Sequence, residues 1–232
     1  MRLFFALLLS LTLLSCNEKI VQLPETTTKD ITEILDVSTI YMFYDEATGT
    51  AEFNRKNMIS STNWLVAIDK RITLKQALPH LQYLYNKRHD DGMHSNDKAR
   101  SYLSCSNPEI KNLAFIDYTD VAYSNKDAAD FITNFFVDKT DTDVAKHYYI
   151  NIKSVDAIVI GNQTEVNTFN QAEFIAYLKQ ITQNTSVDFS LYTSYNENLT
   201  FQDYITIKTL LLDIKKYHIR LQTKKLFIIN YI

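Results

Sequence analysis

The chain has 232 residues, a formal net charge of −3 and 46% apolar residues, which suits a sizeable core and not a disordered tail. That charge excludes a general attraction to nucleic acid. With only three glycines, phosphate-cradling loops and nucleophile elbows are hard to build.

Residues 1–15, MRLFFALLLSLTLLS, carry one positive charge at Arg2, an unbroken apolar and hydroxyl run, and no acid. This is the pattern of a secretory signal peptide, too short to span a bilayer comfortably. It ends in Leu13-Leu14-Ser15-Cys16, which resembles the bacterial lipobox. Cys16 is therefore expected to be lipidated and to become the N-terminus of a mature chain of 217 residues, tethered to a membrane with everything after Cys16 in water. Several acyl chains on one cysteine make a stable anchor, each buried CH₂ contributing about 0.8 kcal/mol. Cys105 is then the only free thiol, and no intrachain disulfide can form.

Residues 16–37 read as the lipidated Cys16 and an extended tether, with a short helix expected at 29–35. Residues 38–43 and 50–54 form a hairpin around Asp45–Gly49. The apolar run at 63–68 is a buried strand. From Thr73, the spacing of Leu74, Ala77, Leu78, Leu81 and Leu84 predicts an amphipathic helix that Pro79 should start or kink. Residues 89–107 read as a polar insertion and 111–117 as the next strand. Residues 124–138, with Phe131, Ile132, Phe135 and Phe136 on one face, predict a linking helix capped by Ser124.

A second hairpin follows at 148–152 and 157–160. A helix is expected at 170–182, capped by Asn170 with Glu173 three residues on, its apolar positions being Ala172, Ile175, Ala176, Leu178 and Ile181. A strand at 187–192, a helix at 201–217 capped by Thr200, and a closing strand at 226–231 complete the chain. The last strand–helix–strand must be a crossover with parallel strands.

The corner Asp69-Lys70-Arg71-Ile72-Thr73-Leu74 aligns with Asn196-Glu197-Asn198-Leu199-Thr200-Phe201 at an offset of 127. Each corner follows an apolar strand and caps a helix. The fold class expected is α+β, with two ββαβαβ-type modules, each a small mixed sheet with helices on one face. Their bounds are 38–122, with the insertion at 89–107, and 147–232, joined by a linker at 123–146.

Residues 149–182 and the segment after them resemble the periplasmic domain of the ExbD/TolR biopolymer-transport family: hairpin, polar turn, helix, strand, an Asp-x-x-apolar-x-aromatic corner, helix and closing strand. The resemblance is good over 148–231 and poor over 38–117. Composition rich in Asn, Lys, Ile and Tyr resembles envelope proteins of flavobacterial-type bacteria. The family's membrane helix with its proton-linked Asp is replaced here by a lipid anchor. The corner acid is kept at Asp69 and is Asn196 in the second copy. The resemblance implies binding rather than proton-coupled work, with Asp69 and Asn196 as a partner-binding corner. Envelope proteins or peptidoglycan are the expected partners, taken at the edges of the hairpins and of the closing strand. It also implies an internal pseudo-dimer of the two modules. Asn17 after the Cys is not the Asp that retains some lipoproteins at the inner membrane, so an outer-membrane location facing the periplasm is expected.

No catalytic residue, cofactor or metal site is assigned. His89, Asp90, Asp91, His94, Asp97 and Cys105 crowd the insertion with ligand-type side chains, but their spacing matches no standard site. A metal-dependent envelope hydrolase built there is the alternative, and a purely structural lipoprotein the third reading. Asp138, Asp141 and Asp143 lack the Gly and terminal Glu of an EF-hand. Lys208, Lys215, Lys216, Arg220, Lys224 and Lys225 read as a solvated face.

Overall fold

The computed structural model describes residues 19–90, 96, 98–127, 147–162, 165–183, 190–214, 220–221 and 225–230. The fold is α+β, with two mixed sheets. The first unit runs β1 (Val37–Asp45), β2 (Thr50–Asn54), β3 (Asn63–Ile68), α1 (Leu74–Arg88), β4 (Ser101–Asn107) and β5 (Asn112–Asp117). Its sheet order is β2-β1-β3-β4-β5, with β1, β3 and β4 parallel and both outer strands antiparallel. Helix α1 is the crossover from β3 to β4. It begins in a capping box between Thr73 and Gln76 and runs through Pro79.

The second unit contains β6 (Ala122–Asp127), β7 (His147–Ser154), β8 (Ala157–Gly161), β9 (Val166–Phe169), α2 (Gln171–Gln183), β10 (Ser190–Asn196), α3 (Phe201–Ile214), β11 (Arg220–Leu221) and β12 (Lys225–Asn230). The sheet order is β6-β12-β10-β7-β8-β9, with β11 pairing the start of β10. Strands β10 and β12, joined through α3, are adjacent and parallel, as the crossover argument requires. One buried core joins the two units, from Ile40, Trp64 and Leu81 to Ile150, Tyr204 and Leu211. Helix α1 also lies against β6 and β12 of the second sheet.

Several elements differ from expectation. The insertion contains β4, an interior strand whose Ser101, Leu103, Ser104, Cys105 and Asn107 are all buried. Small hydroxyl side chains hid it, because they look polar yet fit between two packed layers. The strand expected at 111–117 is the antiparallel edge strand β5 rather than the end of the crossover. Residues 124–127, expected to open a linking helix, lie in β6, which pairs with the closing strand. The second sheet thus takes residues from before its expected boundary. The rest of that helix lies outside the described residues. Strand β9 was not foreseen: four residues between a turn and a helix are too short to show a period.

Helix α2 has its capping box, Asn170 accepting from the Glu173 N–H and Glu173 from the Asn170 N–H, each at 3.0 Å. Its buried positions are Phe174 and Leu178, while Ala172 and Ala176 are exposed. The bulky ring, not the small residues, sets the inward face.

The tether does not hang free, and residues 29–35 are not helical. Residues 19–36 form an extended strap. Its Pro24–Thr26 segment pairs with Ser106 beyond the end of β3, and its Ile31 carbonyl accepts from the Phe115 N–H at the outer edge of β5. Backbone groups already engaged by two strands are not available to a helix.

Candidate functional site

The two corners repeat one hydrogen-bond scheme. Asp69 Oδ1 accepts from the Arg71 N–H at 3.1 Å and Asn196 Oδ1 from the Asn198 N–H at 3.0 Å. Thr73 Oγ1 caps Gln76 and Thr200 Oγ1 caps Asp203, with Gln76 and Asp203 reaching back to the threonine N–H groups. These side chains compete well for local backbone donors, which is why the chain turns here and then enters a helix.

The corners also bind each other. Thr73 and Thr200 form an antiparallel bridge. The Leu74 N–H donates to the Leu199 carbonyl at 2.8 Å and the Phe201 N–H to the Ile72 carbonyl at 2.7 Å. Outside them, Lys75 N–H donates to Glu197 at 2.8 Å and Gln202 N–H to Lys70 at 3.1 Å. Within each pair, a shift of 127 converts one bond into the other, so the seam has local approximate two-fold symmetry.

Two helix N-termini, each a partial positive charge, converge at this seam. Carboxylates collect there. Asp69 is fully buried, Glu197 is 6% exposed and bonded to Lys75 Nζ at 2.8 Å, and Asp203 belongs to the α3 cap. Burial alone would raise the Asp69 carboxyl. Hydrogen bonds from the Arg71 guanidinium and the Gln22 and Arg71 N–H groups outweigh it and hold Asp69 below the usual carboxylate range. Arg71 also meets Glu46 at 2.6 Å and stacks over Tyr44.

Both oxygens of Asp69 are engaged within the chain. Asn196 is half-buried, with Nδ2 donating to the Lys153 carbonyl at 3.2 Å. Of the two residues expected as a partner-binding corner, Asp69 is thus engaged by its own corner and the strap, and Asn196 by its own corner and Lys153. The asymmetry has a local cause. Arg71 becomes Asn198 in the second copy, so an acid at 196 would lack its guanidinium.

The strap stitches both units at this place. Gln22 N–H donates to Asp69 Oδ2 at 3.0 Å, the Gln22 carbonyl accepts from Lys70 N–H at 2.8 Å, and Glu25 N–H donates to Gln202 Oε1 at 2.8 Å. Thr26 and Thr209 hydroxyls meet at 2.8 Å in a buried contact.

The ligand-type residues of the insertion separate. His89 ends α1 on the surface, stacked on Tyr85, with Nε2 3.8 Å from Asp120. Cys105 is sealed in β4, and burial pushes its thiol up to about 12, far from a thiolate at neutral pH. Asp90 is exposed. Cys16, Asp91, His94, Asp97, Asp138, Asp141 and Asp143 lie outside the described residues. Among the described residues no three His, Cys, Asp or Glu side chains gather as a metal would need. Lys208, expected on a solvated face, is 7% exposed, its ammonium 5.6 Å from the Tyr204 ring centre.

The sheet edges remain. The closing strand β12 has a neighbour on each side, so it offers no edge to a partner, contrary to expectation. In the second unit the hairpin strand β8 is covered by β9, whose Phe169 pairs with Ile158 and packs against the Tyr177 ring of α2. Registers place Phe53 of β2 where the second unit has Ile158. Met42 pairs with Phe53 and Ile68, and Ile152 pairs with Ile158 and Tyr195, 127 positions after Ile68. Among the described residues, no strand lies outside β2. Phe53 there stacks on His80 at 4.5 Å and meets Tyr83 edge-on, with Arg55 over the Tyr83 ring. Sequence reasoning named the edges of both hairpins and could not separate them, because β9 was invisible and without it the two hairpins look alike.

No protein-family model, curated protein or solved structure matches the chain. Among the described residues no helix is long and apolar enough to cross a membrane.

Proposed function

We propose that the chain is a non-catalytic, lipid-anchored lipoprotein of a bacterial cell envelope. It presents two ExbD/TolR-like modules to a protein or cell-wall partner in a biopolymer-transport setting. The leader and Cys16 support the anchor, and the corner-and-crossover order supports the resemblance. The observation that carries the binding role is the difference between the two hairpins: β9 covers β8, and among the described residues no strand covers the equivalent strand β2. An exposed edge beside an aromatic patch accepts an added antiparallel strand, with backbone bonds for affinity and Phe53 for side-chain selection.

The test places a photo-crosslinking residue at Glu52 or, as control, at Lys87 on the far end of α1, in the full chain in its native envelope. A discrete adduct from Glu52 and none from Lys87 supports the reading. No adduct from Glu52, or the same adducts from both, overturns it.

A further inference from the structure

We propose that the end of the first unit formed by Lys19, Ile20 and the β1–β2 hairpin lies on the bilayer surface; this rests on the lipid-anchor reading of Cys16. Gln22 is fixed through both its N–H and its carbonyl, six residues after Cys16. An extended chain covers at most about 3.5 Å per residue, so the lipidated residue lies within about 20 Å of that point. Lys19, three residues from Cys16, pairs with Glu52 of β2, which tightens the limit to about 11 Å from Lys19.

The body cannot turn its other end to the lipid. Helix α1 leads away from the corner for 15 residues, about 22 Å, to Arg88. Behind Gln22 the strap is bonded again at Pro24–Thr26 and Thr209, so it resists being drawn out as a longer leash.

The surface at this end suits an interface held by a short tether rather than by charge. Ile20 is 73% exposed, and Tyr41, Phe43 and Tyr44 are half-buried, the tyrosines combining an apolar ring with a polar tip. Lys19 and Arg71 face Asp45, Glu46 and Glu52 around a groove of about 570 Å³. With acids in the majority, anionic headgroups would be repelled, so a zwitterionic surface fits. The outer edge of β2 then starts at the membrane and leads away from it alongside α1, from Gly49 at Gln76 to Phe53 at His80 and Tyr83.

The experiment uses full-length lipidated protein in phosphatidylcholine–phosphatidylethanolamine vesicles carrying a nitroxide lipid. Fluorophores are attached at Ala47→Cys in the hairpin turn or Asn86→Cys near the end of α1, both exposed positions. Quenching several-fold stronger at position 47, and unchanged between about 0.1 and about 1 M salt, is expected. Equal quenching, or stronger quenching at 86, with the protein still floating with the vesicles, overturns the orientation alone. If the unsubstituted chain floats no better than Cys16→Ser, the anchor reading falls, and the inference with it.

Discussion

Thr73 and Thr200 face each other across an antiparallel bridge, and each begins a helix. Two equivalent turns of the chain thus close on one another and fuse the two sheets. Thr73→Ala and Thr200→Ala should each lower stability by about 1 kcal/mol in urea unfolding, the usual cost of a lost cap. Because the residues touch, the double variant should depart from the sum of the two.

The corners differ where Asp69 stands against Asn196. Asp69→Asn should cost about 2–3 kcal/mol, since it weakens charge-assisted bonds to Arg71 in a buried place. Asn196→Asp should cost less, about 0.5–1.5 kcal/mol, because a carboxylate has no donor for the Lys153 carbonyl and Asn198 offers no guanidinium. Equal effects of the two substitutions would contradict the asymmetry described for the seam.

Asp69 also sets an acid limit. Its folded carboxyl is held below the ordinary 3.8, so the stability it contributes is present above that pH and fades as pH falls through the folded value. Acid unfolding monitored by circular dichroism should lose this limb in Asp69→Asn.

At the alkaline end the sign reverses. Burial raises Cys105 from 9.0 to about 12 and lifts Tyr118, Tyr123, Tyr195 and Tyr204 above 10.0. Groups held neutral in the fold stabilise it fully below their ordinary values. That contribution is lost as pH climbs from about 9 toward the folded values. The buried tyrosines should ionise together with unfolding rather than before it, as read by tyrosinate absorbance beside circular dichroism.

Gly161 sits under the Tyr149 ring, where an added Cβ would come 2.6 Å from Tyr149 Oη. Gly161→Ala should cost about 1–3 kcal/mol by overpacking. Adding Tyr149→Leu should recover part of the loss, which a backbone effect at Gly161 would not allow.

Much of the fold was legible because it depends on local pattern. The apolar run Asn63–Ile68, the capped helix after Thr73, the second hairpin and the final crossover all announce themselves within a few residues. Elements without a local period stayed hidden. Ser101–Asn107 looks polar, and Val166–Phe169 is too short. Ala122–Asp127 is held in place by the Lys225–Asn230 strand about a hundred positions later.

The sequence by itself determined the repeat. An offset of 127 between Asp69 and Asn196 follows from residue types that turn and cap a chain, and those act over four or five residues. Only the tertiary structure decided what the repeat is for within the fold. Long-range pairing set the two corners against each other, drew the strap across both, buried Asp69 and Cys105, and covered β8 while setting no described strand outside β2. Contacts between residues far apart in the chain carry no signature at either end, because each end satisfies only its own local chemistry until the partner arrives.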